Sequence, residues 1–259
     1  MNRQGSAKLK KEWLQGQYWE VLCILPLLLT HRLCYELLGA ILSRNSTDYG
    51  RLLITTWDLS IPYISVFVLP YLFTWLYGGF VILYTIITRT YNRNIFRYFY
   101  LSILLETGVE CLIWYHFPAS ILIRVNAEVL NSSGWLGSLT AHVYERATPW
   151  NVIPSAHIAF SYTVWLFSKH FAPKSQRLLF LLLFILIALS VVFIKNHYLI
   201  DIAGGMVLGH IVYLLVFLPA SKRKILDGLT TPVILSFYCL VFILATVIYQ
   251  ATLGYSWSL

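Results

Sequence analysis

Seven stretches of this chain are apolar for about the length of a membrane crossing, and nothing else in the sequence constrains the fold as strongly. They run at roughly 18–42, 62–87, 98–117, 153–167, 178–194, 200–218 and 232–250. A hydrocarbon core about 30 Å thick takes about 20 helical residues. The fourth and fifth stretches are short, so their edges are the least defined. Charged residues make up only 12% of the chain and hydrophobic ones 58%, whereas a soluble domain carries about 25% charged residues. Mean hydropathy is +0.69. The expectation is an all-α polytopic membrane protein with a six-helix core and a seventh transmembrane helix. One integral membrane domain over 1–259 is expected, with its motif-bearing core at about 95–218.

The net charge of +8 raises nucleic acid as a partner, and its distribution argues against it. Arg3, Lys8, Lys10 and Lys11 precede the first stretch. Arg89, Arg93 and Arg97 follow the second, Lys169, Lys174 and Arg177 the fourth, and Lys222, Arg223 and Lys224 the sixth. These alternate segments hold 13 of the 19 basic residues. That is the positive-inside pattern, with contact to anionic lipid as its corollary. It predicts a cytoplasmic N-terminus and outer loops at Ser43–Ile61, Pro118–Val152 and Lys195–Leu199. The first stretch contains His31, Arg32 and Glu36 and shows no small-x-small cleavage site, so it reads as an anchor rather than a cleaved signal. Cys23, Cys34, Cys111 and Cys239 all fall in apolar stretches with no CxxC pair, and read as buried apolar residues.

Two polar islands interrupt the apolar pattern. One is Pro154-Ser155-Ala156-His157 and the other is His197-Tyr198-Leu199-Ile200-Asp201. Each opens an apolar run on the same predicted outer face. Ionisable groups at membrane depth are expensive, and they are functional more often than structural. His197 and Asp201 are four apart, which puts them on one helical face. Asp201 can then hold one imidazole nitrogen of His197 and leave the other for a substrate, the orienter logic of catalytic triads. Lys195 and Asn196 set a cation and an amide donor beside it. Pro154 suits a first helical turn, whose free N–H groups and dipole favour an anion. Ser155 adds a hydroxyl, and His157 stands at the depth to protonate a leaving oxygen. The set points to histidine-nucleophile chemistry on a phosphate. A metal site or a structural hydrogen bond is the bland alternative for His197 and Asp201. His31, His116, His142, His170 and His210 read as packing residues.

These residues resemble the signature of the type-2 phosphatidic acid phosphatase and vanadium haloperoxidase superfamily, whose motifs are K-x6-R-P, P-S-G-H and S-R-x5-H-x3-D. Pro154-Ser155-Ala156-His157 matches the second motif with Ala156 for Gly. Ser190, His197 and Asp201 match the third at the family spacing. The arginine of the third motif falls on Val191. The first motif is absent in its usual form, and Phe117-Pro118 lies where it should end. Arg124, Arg146 and Lys195 are the outer-face candidates to meet phosphate charge, with Arg124 and Lys195 ranked first. The departures resemble the inositol-phosphorylceramide synthase and sphingomyelin synthase branch. The resemblance implies that His197 attacks phosphorus, Asp201 orients it, and His157 protonates the leaving group and activates the acceptor. It implies a phospholipid or isoprenoid phosphate or pyrophosphate as substrate, and no metal or other cofactor. Hydrolysis is the first expectation and head-group transfer the second. A non-catalytic lipid-binding protein or lipid transporter is the alternative of another class.

Other features carry weaker signals. Glu106 and Glu110 lie four apart in the third stretch, as a proton relay, a substrate contact or a packing pair. Gly205 and Gly209 have small-xxx-small spacing, which permits close helix approach. Ile121–Leu130 is expected to form an interfacial amphipathic helix. Asn131-Ser132-Ser133-Gly134 reads as loop. Asn45-Ser46-Thr47 and Asn131-Ser132-Ser133 are glycosylation triplets of low specificity.

Overall fold

In a computed structural model of the protein, which describes residues 19–45, 53–223 and 229–254, every regular element is helical. Backbone groups in lipid have no water to bond, so each crossing segment must satisfy its own. The α-helices are α1 (Ile24–Asn45), α2 (Thr56–Ser60), α3 (Val68–Ile87), α4 (Arg93–His116), α5 (Ala127–Ser132), α6 (Gly134–Arg146), α7 (Ala156–Phe167), α8 (Lys174–Phe193), α9 (Leu199–Arg223) and α10 (Thr231–Gly254). The long ones, α1, α3, α4, α7, α8, α9 and α10, coincide with the seven apolar stretches. Five segments among the described residues are long and apolar enough to cross a membrane: Trp19–Ser43, Ser65–Ile87, Lys174–Phe193, Leu199–Phe217 and Thr231–Gln250. The protein is an all-α polytopic membrane protein. The two remaining long helices depart from a plain span for identifiable reasons. α4 carries Arg97, Glu106 and Glu110 in its buried face. α7 has only 12 residues, lengthened by a 3-10 turn at Ser168–His170.

The bundle is tightest where α7 meets α9. A Cβ on Gly205 would stand 2.7 Å from the carbonyl oxygen of Ser155, and one on Gly209 2.8 Å from that of Ala159. The missing side chains thus bring the His197 helix onto the His157 helix. α7 also packs on α8, α4 and α3, so it is the central strut. At the end of the bundle away from these helix starts, Phe96, Phe99, Phe167, Phe171 and Phe180 form one aromatic cluster. There Arg97, counted above with the basic segments, donates to Glu20 at 2.8 and 2.6 Å, and Thr231 donates to the same carboxylate at 2.8 Å. The pair is buried and ties the starts of α4 and α10 to the segment preceding α1. The basic residues before Trp19 and the pair Ser46-Thr47 lie outside the described residues.

The second outer loop differs from expectation. Residues 121–126 are not helical. Ile121 N–H donates to the Pro149 carbonyl and Leu122 N–H to the Tyr198 hydroxyl, at 3.1 and 3.0 Å, so their backbone is already paired across the loop. The helix begins at Ala127, where the Asn126 side chain caps Val129 N–H. Asn131-Ser132-Ser133-Gly134, read above as loop, is mostly helical: Asn131 and Ser132 end α5, Gly134 opens α6 at φ +61°, and Ser133 alone separates them.

Candidate active site

The link between α8 and α9 is built by backbone bonds that leave the His197 ring directed inward. Lys195 sits at φ +56°, a region that costs a non-glycine residue about 1–2 kcal/mol. Asn196 and His197 both donate their N–H to the Val191 carbonyl at 3.1 Å. The Val191 side chain is wholly buried in an apolar cluster with Ile158, Phe184 and Ile194. Its side chain points into packing, which offers an arginine neither room nor a polar partner. Lys195 Nζ donates to the Asp58 carbonyl at 2.7 Å, and Asp58 Oδ1 accepts Leu199 N–H at 2.7 Å. Asp58 therefore caps α9 from the first outer loop. Its own helix is held by a reciprocal cap with Thr55.

Asp201 Oδ2 accepts Tyr198 N–H at 2.8 Å and lies 3.2 Å from His197 Nδ1. A carboxylate acceptor there assigns the proton to Nδ1 and leaves Nε2 as the free base. Nε2 lies 3.4 Å from Ser155 Oγ. The His157 ring stands 5.8 Å from the His197 ring, centre to centre. Tyr71 stacks on His157 at 4.4 Å, and Trp75 meets it edge-on at 5.8 Å. Ser155 is the N-cap of α7, and its hydroxyl makes no capping bond. The first-turn amides of a helix lack the usual intrahelical partners; here Ile158 N–H donates to the Ser155 carbonyl at 3.1 Å, while Ala156 and His157 of the same turn border the space that His197 faces.

That space is a cavity of about 450 Å³, within the range of small-ligand sites. His157, Asn196, His197 and Arg146 line it, together with Tyr71, Trp75, Trp114, His31 and Arg32. Ser155 and Asp201 are buried directly behind it. The sequence-predicted residues thus divide. His157, His197, Asp201, Ser155 and Asn196 come together, with Arg146 at the wall. Arg124 and Lys195 do not line the cavity. Arg124 donates to Asn196 Oδ1 at 2.9 and 3.2 Å and to the Tyr144 and Ala147 carbonyls at 3.1 Å each. It braces the second outer loop against the link, and Asn196 in turn donates to the Tyr71 hydroxyl at 2.8 Å. Burial lowers the pKa of both the Arg124 guanidinium and the Lys195 ammonium from their ordinary values.

Sequence reasoning did not single out Tyr71, Asp58 or Arg32 as site residues. Tyr71 and Asp58 carry no signal of their own in an aromatic-rich membrane chain. Arg32 did carry one, as a cation inside the first apolar stretch. Its side chain pairs with Glu36 at 2.6 Å and reaches the Arg146 carbonyl at 3.3 Å. No group of three or more His, Cys, Asp or Glu side chains among the described residues is arranged to hold a metal ion.

A family profile described as the PAP2 superfamily matches residues 51–215. No curated protein and no solved structure matches the chain.

Proposed function

Because the chain belongs to the PAP2 superfamily, we propose that it is a membrane lipid-phosphate phosphatase working on the non-cytoplasmic face through a phosphohistidine. One observation carries this reading: His197 has its Nδ1 on Asp201 and its Nε2 beside Ser155, opposite His157, in one cavity. In the first step Nε2 forms a bond to phosphorus as the bond from phosphorus to the lipid oxygen breaks. His157 gives that oxygen its proton. In the second step water attacks phosphorus, His157 takes a proton from it, and the bond between Nε2 and phosphorus breaks. Asp201 stabilises the cationic ring between the steps. Ser155 and the α7 amides meet the equatorial oxygens. Arg146, which has no ion-pair partner among the described residues, and Arg32 answer the charge that the family meets with residues absent here. The alternate basic segments support that face. Lys169, Lys174 and Arg177 sit at the opposite ends of the helices that present the site.

Head-group transfer to an alcohol is the second reading. The cavity volume favours it, since about 450 Å³ leaves room beside a phosphate for an acceptor larger than water. The test compares purified wild type with His197→Ala on phospholipids and isoprenoid phosphates, with and without alcohol acceptors. Free phosphate that falls at least about 10³-fold in the variant supports the phosphatase. Labelled head group moved without free phosphate supports the transferase. Wild type and variant equally inert on every substrate overturn both and favour a lipid-binding or transport role.

A further inference from the structure

A second, smaller cavity lies behind His157. Its volume is about 40 Å³, enough for two or three waters when one needs about 10–15 Å³. Glu106, Glu110, Thr107, Thr74, His31 and His157 supply its polar wall, and no lysine or arginine lines it. Two of those groups are sealed from solvent without any partner: Thr74 Oγ1 and His157 Nε2. A buried polar atom left unpaired costs about 1–3 kcal/mol, and water is the usual remedy. Glu110 Oε2 stands 3.5 Å from His31 Nδ1, which lies 3.3 Å from Thr107 Oγ1. Glu106 accepts the Thr163 hydroxyl. Both carboxyls are only 2% exposed. Carboxyls inside a membrane bundle are retained for a purpose more often than for packing.

His31 borders both cavities. His157 and Trp75 border both as well, and His31 adds to this the approach of its Nδ1 to the Glu110 carboxyl. We propose that the chamber is hydrated, and that Glu110, acting through His31 and this water, sets the protonation of His157. The inference rests on the reading of His157 as acid and base. When His157 gives its proton to the departing lipid oxygen, a proton passes from the Glu110–His31 pair along the water to the ring's other nitrogen, the one on the chamber side. When the attacking water or alcohol returns a proton to His157, the relay runs backwards. Over the cycle the pair neither gains nor loses a proton. Glu110 and His31 are positioning residues, because they reach the substrate only through His157.

Other titratable groups face this set. On α1, Arg32 is within electrostatic reach of His31, and Cys34 lies against Cys111 of α4. Glu106 is one turn from Glu110. Tyr71 of α3 stacks on His157, and His197 faces it across the larger cavity. Among the described residues, α9 contributes no titratable side chain to the chamber wall.

The test is a titration of ring-15N histidine signals in detergent, assigned with His31→Gln and His157→Gln, alongside the pH profile of kcat. In Glu110→Gln the midpoints of both His31 and His157 are expected to move by about one unit, the scale of coupled sites. The kcat profile should move in the same direction, and Glu110→Asp should restore both. His31→Gln probes the next link without touching the carboxyl, and it should shift His157 as well. A His157 midpoint that stays put in both variants overturns the relay and leaves a packing pair. Midpoints that move in a protein inert on every lipid phosphate support the coupling and sink the catalytic reading. Intact His197-dependent activity with unmoved midpoints sinks the relay alone.

Discussion

Gly205→Ala probes the contact on which the proposed site depends. A Cβ there would meet the Ser155 carbonyl oxygen and the Ile158 Cβ at 2.7 Å each, where ordinary contact begins near 3.4 Å. α9 must therefore retreat from α7 by about 0.7 Å, or one of the two must tilt, at a cost of about 1–3 kcal/mol for overpacking. The displaced carbonyl belongs to Ser155, whose hydroxyl faces His197, so the shift falls between the two histidines. A misplacement near 1 Å can cost about 10²-fold in rate, so kcat should fall about 10- to 100-fold. Gly204→Ala is the control. Its nearest neighbours are the Ile153 Cγ1 at 3.3 Å and the Pro154 Cα at 3.5 Å, so an added methyl needs a shift of only about 0.1 Å to reach ordinary contact. The assay is phosphate release or head-group transfer per folded molecule, with the thermal midpoint in detergent recorded beside it. Gly205→Ala with wild-type kcat would refute the claim that the α7–α9 contact sets the geometry of the site, whatever its effect on the midpoint.

Four further outcomes are expected. Asp201→Asn keeps the side chain's shape but offers an amide to His197 Nδ1, and kcat should fall about 10²- to 10⁴-fold with KM little changed; an unchanged kcat in steady-state assays would remove Asp201 from the mechanism. Asp58→Ala removes the cap on Leu199 N–H and should lower stability by about 1–2 kcal/mol in denaturant titrations, with a loss of kcat rather than of binding. Arg124→Lys cannot reproduce the fork that holds Asn196 and two loop carbonyls; protease cutting of the 118–152 loop should rise severalfold, with Arg124→Ala more susceptible still. Glu20→Ala leaves Arg97 without its carboxylate and should cost about 3–5 kcal/mol, whereas Glu20→Leu with Arg97→Met should recover most of that loss, as read from thermal midpoints.

The spans were legible because lipid imposes one rule over about 20 residues at a time, and local composition satisfies it. The pairing of His197 with Asp201 was legible for a similar reason, since a four-residue offset fixes the meeting without help from the rest of the chain. Arg124 and Arg146 show where such reasoning ends. Both are cations in the same outer loop, 22 positions apart, and nothing local distinguishes one that braces carbonyls from one that lines a cavity. The extended run at 121–126 is a second case. Its amphipathic pattern suits a helix, but its first two amides are taken by Pro149 and by Tyr198, partners far away in sequence.

The losses at the family positions have a common physical logic. Where the third motif carries arginine, Val191 fills an apolar cluster instead, and its carbonyl anchors both Asn196 and His197. An arginine there would need room and a polar partner, and the cluster offers neither. On the reading proposed here, phosphate charge is met by Arg146 and Arg32, which line the cavity from α6 and α1. Those two cations stand near Tyr35, Tyr71 and Trp75, a wider and more aromatic surface than a phosphate alone requires. The cavity that holds these two cations also holds His157 and His197, and its volume of about 450 Å³ is space they share. The acceptor panel measures what that space admits. A preference for bulky alcohols that is lost in Arg146→Ala, with hydrolysis retained, would tie the two cations to transfer; equal loss of both reactions would tie them to the phosphate alone.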